Sequence, residues 1–289
     1  MRRSPNKPEP PPTAAGYSRL SVEVHRDGAR TRIEDSVAEE TPVALIYNGQ
    51  PQVVMMATPA DLEDFALGFS LSEAIVASPE EIESIDITAL DNGYEISLRI
   101  PAQRHALLSD RRRNLVGRSG CGLCGSETIH QAMRPAPRVP AGSLITEAVL
   151  HRALETLRTR QTINAVTGAT HAAAFADISG EVLSVREDVG RHNALDKLIG
   201  AITRARHDPA RGFAVITSRA SYEMVLKTAT LGIPLLAAIS APTTLAVRMA
   251  EEAGLTLIGF ARANNHVVYA CPARLVAGSA KTSTETVTA

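Results

Sequence analysis

The 289 residues carry a formal net charge of −1 with a pI near 6.7, and 44% of them are hydrophobic against 21% charged. That is the balance of an ordinary globular protein of one large or two modest domains. It disfavours a general duplex-DNA binder, which needs a basic surplus to displace counterions, and leaves room for local basic clusters. No run nears the roughly 18 apolar residues of a membrane-spanning helix, and Met1-Arg2-Arg3-Ser4 leads into proline-rich polar sequence instead of an export signal's apolar stretch. Three cysteines are too few, and odd in number, for a disulfide scaffold. The expectation is a cytosolic protein with reduced thiols.

In chain order, residues 1–16 read as a disordered tail. Strands are predicted at Ser21–His25, Val43–Tyr47 and Gln52–Met56, with turns at Asp27-Gly28 and Asn48-Gly49. Thr58-Pro59-Ala60-Asp61 reads as a helix start capped by Thr58, with Leu62, Phe65, Ala66 and Phe69 on the buried face. A hairpin around Asn92-Gly93 has Tyr94–Ile100 as one arm. Together, 17–117 make a β-rich N-terminal domain, followed by a cysteine loop and linker over 118–143.

From 144 to 276 the pattern alternates. Helices are expected at Thr146–Arg158, Asn193–Arg204, Tyr222–Leu231 and Thr243–Ala253, and strands at Ala172–Ala176, Val182–Arg186, Phe213–Thr217, Leu235–Ile239, Leu255–Phe260 and His266–Tyr269. The fold class is α/β (α+β overall), with a mostly parallel sheet covered on both faces. Residues 277–289 form a second tail.

Arg118-Ser119-Gly120-Cys121-Gly122-Leu123-Cys124-Gly125 is the most informative stretch. Its interleaved glycines let the backbone turn sharply and leave both sulfurs accessible. Arg111, Arg112, Arg113 and Arg118 favour thiolate over thiol. A thiolate can take sulfur from a donor as a persulfide and yield it to an acceptor, with the second cysteine resolving or relaying it. Two rivals are weaker. A zinc knuckle would need Cys271 with His171 or His192 as further ligands, and a thioredoxin-like site should open a helix after an early strand. Cys271, beside Pro272, reads as a small buried apolar residue.

Other constellations gather at predicted strand ends. Thr167–Ala174 surrounds His171 with small residues, and Arg186–Ala194 packs five ionisable groups and a glycine between a strand and a helix. Thr217-Ser218-Arg219, Ser240-Ala241-Pro242-Thr243-Thr244 and Ala261-Arg262-Ala263-Asn264-Asn265 each follow a strand. Strand-to-helix turns are where open α/β sheets bind ligands, and free N–H groups at helix starts suit phosphate. Helix caps use Ser and Thr as well, but in combination these loops point to an anionic, nucleotide-like ligand. There is no P-loop motif.

With these residues in view, the chain resembles the formate dehydrogenase accessory sulfurtransferase family from about Val43 to Cys271. The resemblance rests on Gly120–Gly125, Thr170–Ala174, Glu187–Lys197, Ser218-Arg219 and Gly259–Arg262. It implies a C-terminal domain similar in fold to cytidine deaminases, and a homodimer. It also implies a sulfurtransferase, catalytic or a stoichiometric carrier, that moves sulfur from a cysteine desulfurase to the molybdenum (or tungsten) bis(molybdopterin guanine dinucleotide) cofactor before that cofactor enters formate dehydrogenase. Cys121 would carry the persulfide with Cys124 as partner. Phe260, Ala261, Arg262, Ala263, Asn264 and Asn265 would contact the cofactor. Where the family often has a glycine and a basic residue, this chain has Ala263-Asn264-Asn265. Deaminase chemistry is not implied, because Ala173 stands where the zinc site's His-x-Glu would place its glutamate.

Overall fold

The computed structural model describes residues 16–113, 134–262 and 265–277. Its first two hairpins turn on Asp27-Gly28 and Asn48-Gly49, all four residues having positive φ. Only that backbone matches the twist of a two-residue hairpin, and Asn, Asp and Gly tolerate it best. The first turn joins β1 (Tyr17–Arg26) to β2 (Ala29–Ala38), a strand not anticipated because its run of charges hides the alternation. The second joins β3 (Thr41–Tyr47) to β4 (Gln50–Ala57). Next come α1 (Leu62–Ser72), β5 (Ser84–Leu90), β6 (Gly93–Arg99) and α2 (Ala102–Arg113). The four-stranded sheet has the order β4-β3-β6-β5, with β3 and β6 parallel.

Thr58 does not cap α1. Asp61 stands at the N-cap in a left-handed conformation. Thr58 is fully buried instead, its N–H donating to Asp188 at 3.0 Å and its Oγ1 accepting from the Val189 N–H at 3.1 Å. A hydroxyl that can satisfy a distant buried backbone group is worth more there than at an exposed cap.

The second half contains β7 (Ile145–Thr146), α3 (Glu147–Thr159), α4 (Thr162–Thr167), β8 (His171–Asp177), β9 (Val182–Asp188), α5 (Arg191–Arg204) and β10 (Gly212–Ile216). It continues with α6 (Tyr222–Thr230), β11 (Leu235–Ala238), α7 (Thr244–Ala253), β12 (Thr256–Arg262), β13 (Asn265–Ala270) and β14 (Leu275–Val276). The six-stranded sheet runs β13-β12-β11-β10-β8-β9. The β10–β11 and β11–β12 pairings are parallel, whereas the β10–β8, β8–β9 and β12–β13 pairings are antiparallel. This corrects the mostly parallel expectation. Parallel neighbours need a crossover, which α6 and α7 supply, whereas connections as short as those after β8 and β12 can join only antiparallel strands.

Alternation along the strands feeds two cores. Ala173, Phe175, Ala214, Ile216, Leu236, Ala238 and Leu257 pack with α1, α5, α6 and α7, while Ala172, Ala174, Phe213, Val215, Leu235 and Ile258 pack with α3. The first core also holds Val43, Leu45 and Tyr47 of β3, so it is continuous between the two sheets. Helices α1 and α5 cross at glycines. A Cβ on Gly68 would lie 1.7 Å from the Asp196 carbonyl oxygen, and one on Gly200 would lie 1.9 Å from that of Asp64. Beside the crossing, the buried Lys227 ammonium donates to Asp196 at 2.9 Å, Ser72 at 2.9 Å and Glu73 at 2.8 Å.

Candidate functional site

The sheet topology gathers the strand-end loops on one rim. The three parallel strands end there, and antiparallel β8 brings its first residue to the same edge, where His171 pairs with Asp188 at the end of β9. The loops are stitched together by backbone hydrogen bonds. Thr217 N–H donates to the Ala172 oxygen at 3.0 Å, Ala220 N–H to Ala241 at 3.2 Å, Thr243 N–H to Ala220 at 3.0 Å and Phe260 N–H to Ser240 at 3.2 Å. His171, Asp188–His192, Thr217–Ser221, Ser240–Thr243 and Phe260–Arg262 therefore share one edge. β8 and β13 run the other way and so bring the residues at their starts to this rim.

Of the residues expected to bind ligand, Ser218 is buried and its hydroxyl donates to the Arg219 carbonyl oxygen at 3.1 Å, whereas the Arg219 side chain is exposed. Phe260 is 42% exposed and has φ of 49°, a backbone conformation costly for an aromatic residue. The Ala261 side chain is fully buried towards α3, leaving only its backbone for contact. Arg262 is exposed, and its Nε donates to the Ile239 oxygen at 3.0 Å, laying the guanidinium across the end of β11. Asn265 pairs with Arg262 at the end of the β12–β13 ladder. Cys121, Cys124, Ala263 and Asn264 lie outside the described residues. Helix α7 starts after Thr243, whose hydroxyl accepts from the Ala246 N–H, and α6 starts after Ser221, which makes no such bond.

The charged stretch from Arg186 to Ala194 divides into props and open groups. Arg186 binds Asp64 at 2.6 Å. Glu187 accepts from Ile163 N–H at 2.9 Å, Asn164 N–H at 2.8 Å and the Thr170 hydroxyl at 3.0 Å, holding α4 and the approach to β8. Asp188 meets Lys197 at 2.6 Å with both side chains fully buried, and also accepts from Gly190 N–H at 2.8 Å. Asn193 donates to the Met56 oxygen at 2.8 Å, tying the loop to β4. Arg191 and His192 remain, partly exposed at the rim.

His192 Nε2 lies 2.7 Å from Glu223 in the first turn of α6, without hydrogen-bond alignment. That contact holds the Glu223 carboxyl below its ordinary range despite burial. Burial, and after it the Arg191 charge, push His171 below the ordinary histidine range, so its imidazole is neutral at neutral pH. Burial and the nearby Glu223 push Tyr222 up to about 12.

The flanks of the cysteine segment converge. On one side, α2 is pinned by Arg104 to Glu81 at 2.8 Å, and Leu107 and Leu108 line a small crevice with Ala74 and Ile75. On the other, Arg134 donates to the Glu73 oxygen at 3.0 Å and the Ser72 oxygen at 3.3 Å. Ala74 and Ile75 on the first side, and Ser72 and Glu73 on the second, lie at or just past the C-terminal end of α1, and the Arg134 and Glu73 charges are felt at Tyr222. Cys271 stands at the opposite edge of the sheet, after Ala270, which pairs with Leu257 near the start of β12. About 15 Å of strand separates that level from the rim, so Cys271 cannot share a zinc ion with His171 or His192. It is half-buried, with φ of 46°, and packs against the first core, less enclosed than the small buried apolar residue expected.

A neutral histidine, exposed arginines, helix starts and a solvent-facing aromatic ring on one edge can receive an anionic, partly aromatic ligand. The FdhD/NarQ family model matches residues 38–276. The chain belongs to this family. It is 57% identical over 260 residues to the sulfur carrier protein FdhD of Xanthomonas euvesicatoria pv. vesicatoria (strain 85-10), covering 90% of this chain and 92% of that protein. It is 52% identical over 282 residues to the sulfur carrier protein FdhD of Cupriavidus necator, covering 95% and 98%. A crystal structure described as that of a formate dehydrogenase accessory protein from Desulfotalea psychrophila superposes with a TM-score of 0.71 at 25% identity, covering 90% of this chain and 99% of that one.

Proposed function

We propose that this protein is a cytosolic sulfur carrier that serves a formate dehydrogenase. Cys121, as thiolate, attacks the outer sulfur of a cysteine desulfurase persulfide. The desulfurase thiolate leaves, and the sulfur remains on Cys121 as a persulfide. Cys124 resolves or relays it. The acceptor is the molybdenum or tungsten bis(molybdopterin guanine dinucleotide), a substrate bound over the rim. An electron pair on the acceptor attacks the outer sulfur to form the new bond, the S–S bond breaks, and the Cys121 thiolate leaves. The active form is a homodimer.

The observation that carries this reading is convergence: loops scattered from His171 to Arg262 meet on one edge. The residues flanking the cysteine segment are fastened beside the first turn of α6, which belongs to that edge. The relatives' description as sulfur carriers and the accessory role of the structural neighbour support it.

Mass spectrometry after incubation with a desulfurase and cysteine tests the chemistry. One sulfur should be gained, and Cys121→Ala should abolish the gain. Cys124→Ala should cost less unless transfer needs a relay between the thiols. A protein that binds guanine nucleotide but never gains sulfur is a cofactor-binding chaperone.

A further inference from the structure

The Lys227 ammonium sits where three helices meet, and nothing in the chemistry of the rim accounts for it. From α6 it donates to both carboxylate oxygens of Asp196 on α5 at 2.9 Å. It also donates to Ser72 Oγ at 2.9 Å and Glu73 Oε1 at 2.8 Å, at the end of α1. Ser72 donates in turn to Asp196 at 2.6 Å. The Lys227 and Asp196 side chains are only 7% and 1% exposed. An ion pair this deep is a poor source of stability, because desolvation consumes most of the attraction and packed apolar side chains of similar volume do as well. What a satisfied buried network can supply is a fixed register between the helices that share it.

That register matters at this place. Ser72 and Glu73 also offer their carbonyl oxygens to Arg134, on the C-terminal flank of the cysteine segment. One helix end is thus gripped twice, by Lys227 through side chains and by Arg134 through the backbone. Glu73 is the C-cap residue of α1, where the helix dipole disfavours a carboxylate, so its position there depends on those two cations. Tyr222 opens the same helix α6 at the rim, about 7–8 Å along the axis from Lys227. There the Lys227 charge, after His192, helps hold Glu223 below its ordinary range.

We infer that Lys227 is a positioning residue for sulfur delivery: by holding the end of α1 against α6, it fixes the span between the anchorage of the cysteine segment and the rim. The inference rests on the sulfur-carrier reading and adds to it a group that touches neither sulfur nor cofactor. The charges close on themselves, with Lys227 and Arg134 set against Asp196 and Glu73. The network therefore has no charge of its own to offer a ligand, and its role is mechanical. Without it, α1 and α6 still pack through apolar contacts, but the α1 end can shift relative to α6. Loading of Cys121 does not depend on that span, whereas delivery to an acceptor on the rim does.

Two full-length variants test this. Lys227→Met with Asp196→Leu removes both buried charges together and leaves apolar side chains of similar volume. Glu73→Gln keeps the Lys227–Asp196 pair and loosens only its link to the α1 end. Sulfur gain is read by mass spectrometry after incubation with a desulfurase and cysteine, delivery as formate dehydrogenase activity in cells lacking their own carrier, and stability as the urea midpoint. The double variant should keep the wild-type midpoint and gain one sulfur, yet restore about ten- to a hundredfold less activity, the loss that a displacement of about 1 Å can impose. Glu73→Gln should show a smaller loss of the same kind, and it decides the matter if the double variant fails to fold. Full loading with wild-type delivery overturns the inference. So does a parallel fall of midpoint, loading and delivery in Glu73→Gln, which marks a merely structural network. A wild-type chain that never gains sulfur removes the sulfur-carrier reading, and this inference with it.

Discussion

Arg262 shows how a single side chain is committed before any ligand arrives. Its Nε is spent on the Ile239 oxygen, which fixes the guanidinium over the end of β11 and leaves its other nitrogens for an anion. Arg262→Ala should weaken guanine nucleotide binding by roughly tenfold or more, with sulfur loading of Cys121 unaffected; calorimetry and mass spectrometry read the two effects separately. The Asp188–Lys197 pair works from beneath. Both side chains are fully buried, and Asp188 also holds the Gly190 N–H at the head of the rim loop. Removing one partner strands a buried charge, so Lys197→Ala should cost about 3–5 kcal/mol in urea unfolding. His171 gives the rim a pH dependence. Its folded pKa lies below the ordinary value of 6.5, chiefly through burial. The neutral imidazole's contribution to stability is therefore complete above that value and is lost as pH falls through the depressed one. Between pH 7 and 5 the denaturation midpoint should drop more in wild type than in His171→Asn. Glu223, held low, adds its own loss only below the ordinary carboxylate range.

At the scale of elements, the α1–α5 crossing makes the sharpest demand. Gly68→Ala would place a methyl group 1.7 Å from a carbonyl oxygen, and Gly200→Ala one at 1.9 Å. Either should cost at least about 1–3 kcal/mol by forcing the helices apart, measured as a lower midpoint in urea. Nothing in the local sequence announces this, since a glycine within a helix reads only as a weak helix former. Most strands and helices were legible, but β2 and the short α4, β7 and β14 were not. Asn48-Gly49 and the alternation in β3, β8 and β10 depend on neighbours close in sequence, as does the amphipathic face of α3. Pairing was not. The parallel β3–β6 contact and the antiparallel attachment of β8 are set by long-range closure, which periodicity does not encode. The same divide applies to the rim. Its loops could be picked out one by one, yet that Glu187 braces α4 depends on partners far along the chain.

Over the whole molecule, one core joins both sheets, with Val43, Leu45 and Phe65 in the same cluster as Leu195, Ile216 and Leu236. The two halves should therefore open together. Hydrogen exchange followed by mass spectrometry should give peptides from β3 and β11 the same limiting protection; early exchange in β3 with β11 still protected would refute a shared core. The α1–α5 contact also bears on synthesis. Ser72 and Asp196, hydrogen-bonded at 2.6 Å, are 124 residues apart. On the ribosome, β3 and α1 emerge long before the surface that covers them. Their apolar inner faces must wait, exposed, until α5 has cleared the exit tunnel, so the nascent first half is the stage at which this chain is most open to aggregation and has most to gain from a chaperone.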